Sequence, residues 1–147
     1  MRISVVALLI DTASPAVRIG IADGATVVAR EEWQADRTLA ETIATRIERL
    51  LRSHTRSFSD IARIRVHAGP GGFTTLRIGV VTANALGYAL GVPVEGVVGP
   101  LTSLKELVEH PAAGTTKGPV VPIYDRPPHI TPRRNDPTIS RTDPPSV

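Results

Sequence analysis

Val5 to Ile10 is a continuous apolar run, the pattern of a strand covered on both faces. Thr12-Ala13-Ser14-Pro15 turns the chain, and Val17, Ile19 and Ile21 then alternate with smaller or polar residues, as in a half-buried strand. Asp23-Gly24 is a hairpin signal that leads into a third strand over Thr26 to Trp33. The period then changes. Leu39, Ile43, Ile47, Leu50 and Leu51 recur at helical spacing and predict an amphipathic helix from Thr38 to Ser53, with Thr38 and Glu41 at capping-box spacing. After a turn at Ser59-Asp60, Ile64, Val66 and Ala68 alternate with Arg63, Arg65 and His67, predicting a fourth strand with one wet face and His67 pointing outward.

The next segment, Gly69-Pro70-Gly71-Gly72-Phe73-Thr74-Thr75, reads as a glycine-rich turn opening onto a helix capped by Thr74 or Thr75. That helix runs from about Thr75 to Leu90 and stops at Gly91. Pro93 to Val98 supplies a fifth strand, and Ser103 to His110 a short helix with Ser103 as cap and Glu106 in the capping-box position. The order predicts an α/β fold, a mixed five-stranded sheet with helices packed on it, of the ribonuclease-H-like or actin-like kind. Nine of the 13 prolines follow His110, so the chain divides into a lobe over 1–110 and a Pro-rich tail over 111–147. Val120 to Tyr124 is a candidate short edge strand in that tail, and the chain from Arg126 onward reads as extended or disordered.

Composition narrows the chemistry. With 147 residues, 41% hydrophobic and only 3% aromatic, the chain suits one domain whose core is built from Val, Ile, Leu and Ala. No cysteine is present, which excludes disulfides, thiol catalysis and thiolate metal sites and suits the cytoplasm. The four histidines show no metal-ligand spacing, so neither a metal site nor a cofactor is expected. A net charge of +3 and a lack of stacking aromatics argue against direct nucleic-acid binding. No apolar run approaches the roughly 20 residues that span a bilayer.

Two candidate sites remain. The unpaired amides at the start of the second helix make Gly71, Gly72 and Thr74, with Asp11 at the end of the first strand, a possible anion or nucleotide contact. No Gly-Lys-Ser/Thr follows, so this is not a P-loop, and Asp11 has no second carboxylate and Ser14 no histidine base to make a catalytic set. The second candidate is a ridge of small residues, Gly79, Ala83 and Gly87, which suits either a partner helix or the helix's own sheet. Taken with Leu39, Ile43, Ile47 and Leu50 of the first helix and Leu76 and Val80 of the second, it forms a candidate helical-bundle interface. On that reading Gly79→Leu or Ala83→Arg abolishes pairing and leaves the fold intact.

Ile10-Asp11-Thr12-Ala13-Ser14, the helix around Leu39 to Leu51, the block from Gly69 to Gly79 and Gly91-Val92-Pro93-Val94 resemble, in this order and spacing, the TsaB (YeaZ) family. The glycine block is close to that family's Gly-Pro-Gly-Ser-Phe-Thr-Gly-Leu-Arg-Ile-Gly signature, with Gly72 and Thr75 replacing its serine and glycine. The resemblance implies an actin-like fold without a catalytic site of its own, in the dimerisation subunit of the bacterial tRNA threonylcarbamoyladenosine complex. It further implies a non-catalytic scaffold that pairs through its N-terminal helices with the catalytic subunit TsaD, joined by the ATPase TsaE, and meets tRNA only indirectly. TsaD's metal-binding His-x-x-x-His motif is not found in this chain. The resemblance covers about Val6 to Leu107; the family's second lobe is expected to be largely absent, with Pro122-Ile123-Tyr124-Asp125-Arg126 similar to its C-terminal Pro-x-Tyr-x-Arg segment. An actin-like nucleotide-binding ATPase and a self-associating homodimer are the alternatives.

Overall fold

In the computed structural model, which describes residues 5–112 and 119–125, the first apolar run becomes β1 (Val6–Asp11), buried along its whole length. Its neighbours are the antiparallel hairpin strand β2 (Ala16–Asp23), which continues into β3 (Thr26–Gln34), and the parallel strand β4 (Ile61–Gly69). Gly24, at φ +63°, takes the positive dihedral that the tight β2–β3 turn requires. Strand β5 (Val94–Val98) pairs in parallel with β4, giving a mixed five-stranded sheet in the order β3-β2-β1-β4-β5.

Helices cover both faces. Helix α1 (Leu39–Ser53) buries Leu39, Ile43, Ile47 and Leu51, and α2 (Phe73–Leu90) buries Leu76, Val80 and Ala83, in one core with Val6, Leu8 and Ile10 of β1. On the other face α3 (Leu104–Glu109) packs Leu104, Leu107 and Val108 against Ala7, Leu9, Ala22 and Val97. Strand alternation sends the even residues of β1 to one core and the odd ones to the other, which is why the run carries no polar residue before Asp11.

The covered second face overturns one expectation. Arg65 and His67 do not lie on a wet surface; they are 5% and 3% exposed. Arg65 donates from Nε to the Leu107 carbonyl at 3.0 Å and also bonds the His110 carbonyl, so it supplies partners to the end of α3, with Glu95 Oε1 at 3.3 Å.

The helix starts differ too. The Thr38 hydroxyl donates to Asp36 Oδ1 at 2.5 Å, and the Thr38 N–H donates to the same oxygen at 2.8 Å, so Asp36 organises the entry to α1 and no Thr38–Glu41 box forms. Helix α2 begins earlier than the threonines suggest, with Gly72 at its N-cap and no side-chain cap bond. Ser103 does cap α3, accepting from the Glu106 N–H at 3.3 Å, while the Glu106 carboxylate returns to the N–H and hydroxyl of Thr102 at 2.7 and 3.0 Å. Among the described residues, 119–125 form no strand, only one parallel bridge between Gly71 and Tyr124. The expectation for the chain from Arg126 onward lies outside the described residues.

Candidate functional site

Four segments meet at the C-terminal ends of β1 and β4. Asp11, the last residue of β1, is 2% exposed. Its Oδ1 accepts the Ala13 N–H at 3.1 Å and faces His67 Nδ1 at 2.9 Å, while Oδ2 lies 3.8 Å from Arg18 Nε. The other imidazole nitrogen, Nε2, sits 2.7 Å from the Gly99 carbonyl. Burial drives the His67 pKa down, but the hydrogen bond and charge of Asp11, with help from the Gly99 carbonyl, outweigh burial and the nearby Arg18, and the net shift is upward. Arg18 is drawn away by Glu32 at 3.3 Å and by a bond from Nη1 to the Thr102 carbonyl.

The glycine turn closes onto this cluster. A Cβ on Gly71 would lie 2.4 Å from the Ala13 carbonyl oxygen, so only glycine lets the turn pack on the β1–β2 connection. On the far side, segment 119–125 lies along the turn: the Ile123 N–H donates to the Ala68 carbonyl at 2.7 Å and the Asp125 N–H to the Gly71 carbonyl at 3.2 Å. Asn84 of α2 holds both backbone groups of Val120 at 2.9 Å, a paired amide contact that fixes the segment against the helix. Of the four residues expected to meet an anion, Asp11 and Gly71 are thus engaged within the protein, and Gly72 and Thr74 remain exposed on the open side of the turn. Among the described residues no group of three or more His, Cys, Asp or Glu side chains could hold a metal ion.

The small-residue ridge resolves to its sheet-facing alternative. A Cβ on Gly79 would lie 2.0 Å from Thr12 Oγ1, and one on Gly87 2.2 Å from Val94 Cγ2; Ala83 between them is 0% exposed. The ridge seats α2 on its own sheet. Leu39, Ile43, Ile47, Leu76 and Val80 are likewise buried in the core, and Leu50 is half-buried against it. These candidate interface residues are spent inside the lobe, because a helix turns its most apolar stripe to the nearest sheet.

What α2 leaves outside is the informative part. Its 18 residues carry a single charge, Arg77, and its outer stripe presents Val81 and Tyr88 at 55% and 92% exposure, with Ala85 exposed between them. A helix apolar on both sides of its circumference is half-solved by one sheet. The sequence missed this stripe by following the glycines. The signal was available, since no charge follows Arg77 before the helix ends.

A family model described as TsaD, tRNA N6-adenosine threonylcarbamoyltransferase, matches residues 33–125. The chain is 41% identical over 92 residues to an uncharacterised protein of Mycobacterium bovis, covering 61% of this chain and 44% of that one. It is 46% identical over 63 residues to the tRNA N6-adenosine threonylcarbamoyltransferase of Geotalea uraniireducens, covering 43% of this chain and 18% of that one. YeaZ from Pseudomonas aeruginosa superposes with a TM-score of 0.58 at 24% identity, over 64% of this chain and 44% of that one. This likeness gives the sheet and helices an actin-like, ribonuclease-H-like fold of the YeaZ type. The chain spans less than half the length of these relatives. By the span of the matched family model, the chain belongs to the TsaD, tRNA N6-adenosine threonylcarbamoyltransferase, family.

Proposed function

We propose that the chain is a non-catalytic subunit that pairs with a TsaD-like catalytic subunit in tRNA threonylcarbamoyladenosine biosynthesis, with a TsaE-like ATPase in the same assembly. The observation that carries this reading is the outer stripe of α2, where Val81 and Tyr88 stand open on a helix with one charge. Such a surface gains free energy by meeting a second helix pair, and α1 lies beside α2 on the same face of the sheet to complete one. The docking surface is therefore the outside of α2, opposite the ridge. Two further observations favour a scaffold: Asp11 is committed to His67, Ala13 and Arg18, and Gly71 is closed against Ala13, which leaves a nucleotide little to hold. On this reading the chain works in the cytoplasm and reaches tRNA through its partners. Among the described residues no helix is long and apolar enough to cross a membrane.

Co-elution of the full chain with the TsaD protein of the same organism tests the reading. Val81→Arg is expected to weaken pairing at least ~10-fold, about 1.4 kcal/mol, with an unchanged circular dichroism spectrum. Full retention of pairing by a folded Val81→Arg chain would remove the interface. Light scattering of the chain alone separates this from self-association, since a dimer lost in the same variant means the face serves a second copy.

A further inference from the structure

We propose that His67 is held as an imidazolium in a buried charge pair with Asp11, and that this pair is a pH-sensitive latch on the glycine turn. The ring stands between two oxygens, Asp11 Oδ1 at 2.9 Å and the Gly99 carbonyl at 2.7 Å. The carbonyl only accepts, so Nε2 carries a proton. A neutral imidazole has no second proton, and its Nδ1 lone pair would then face Oδ1. Either His67 holds both protons, or Asp11 is a protonated acid donating to a neutral ring. The contacts of Asp11 favour the ion pair. Oδ1 already accepts the Ala13 N–H at 3.1 Å, and the Arg18 guanidinium lies 3.8 Å from Oδ2, both suited to a carboxylate.

Among the described residues, Asp11 of β1 and Arg18 of β2 are the charged groups that act on the ring. Glu32 of β3 stands behind Arg18 at 3.3 Å, and Glu106 of α3 holds the neighbouring Thr102. With His67 charged, the buried pair is neutral in sum, which lowers the cost of keeping either ion from water.

Both partners of the ring touch the turn. Asp11 fixes the N–H of Ala13, on which Gly71 packs, and Gly99 donates its N–H to the Gly69 carbonyl at 2.9 Å. His67 thus clamps the turn from both sides of Pro70. Loss of the second proton sets a lone pair against one of two oxygens and frees that side. The raised His67 pKa gives the direction: the stabilisation is complete below the unfolded value near 6.5 and is lost as pH rises through the folded value.

Nitrogen NMR of the full-length chain from about pH 5 to about pH 10 tests the latch. At neutral pH both His67 ring nitrogens are expected to carry protons, with the Asp11 carboxyl carbon in its carboxylate form. As His67 titrates, the Ala13 and Gly99 amides are expected to exchange at least ~10-fold faster than base catalysis alone gives. His67→Gln is expected to flatten that extra pH dependence; where this variant does not fold, the native-chain measurement decides alone. A single ring proton at neutral pH, a protonated Asp11, or amide exchange indifferent to the His67 titration would each overturn the proposal.

Discussion

Gly79 shows how far a residue's meaning depends on which way its helix is turned. Its missing side chain is the space that Thr12 fills, with a hypothetical Cβ only 2.0 Å from Thr12 Oγ1. Gly79→Ala is accordingly expected to cost about 1–3 kcal/mol in urea denaturation, the range for overpacking a filled core. Gly79→Leu has no room at all and is expected to leave the chain unfolded, where the ridge-as-interface reading predicted a folded chain that fails to pair. The spacing of Gly79, Ala83 and Gly87 is legible in the sequence and leaves two partners open, because a smooth stripe is equally welcome to a sheet and to a helix. His67 escaped for a related reason. Alternation assigns a face to a strand residue, and only the arrival of α3, which begins 35 positions after the end of β4 in a weakly periodic segment, makes that second face dry.

At the level of elements, order and type were readable because the periods of β1 to β3 and α1 are strong, and the structure keeps all five strands and three helices in their places. Caps were less legible where two acceptors compete. Asp36 stands two residues ahead of Thr38 and captures both its hydroxyl and its N–H. Hydrogen bonds from the Thr38 hydroxyl and then from its backbone hold the Asp36 carboxyl below its ordinary 3.8. A lowered folded pKa means a contribution present above the unfolded value and lost as pH falls through the folded one. Asp36→Ala is therefore expected to speed amide exchange in the first turn of α1 near neutral pH and to abolish the acid-dependent part of that exchange. The segment 119–125 was legible only as a possible strand, since proline removes the donors that would make a ladder. Its anchor is instead one side chain: Asn84→Ala deletes two bonds to Val120 and is expected to cost about 1–3 kcal/mol. Faster exchange at the Ile123 and Asp125 amides would report the release.

For the molecule as a whole, the sheet divides the labour between its two faces. One core, with α3, buries the charged and hydrogen-bonded groups of β4; the other, with α1 and α2, is mainly apolar, with Thr12 buried against Gly79, and stops short of covering α2. On the proposed pairing, two positions only two residues apart on that helix carry opposite phenotypes: Gly79→Ala is expected to lower the urea midpoint and leave co-elution intact, and Val81→Arg to do the reverse. Fold class was recoverable from the order of elements, and the relation to the TsaD family agrees with it. The proposed pairing surface is less legible, because the glycines of α2 stand out in the sequence and ordinary residues such as Val81 and Ala85 do not. The return of residues 119–125 to the glycine turn sets a timetable as well as a contact. The turn at Gly69 to Gly71 leaves the ribosome some fifty residues before the segment that bonds Ala68 and Gly71. Through that interval of synthesis the glycine turn lacks the N–H donors of Ile123 and Asp125, and Asn84 lacks the Val120 backbone that it holds in the finished lobe.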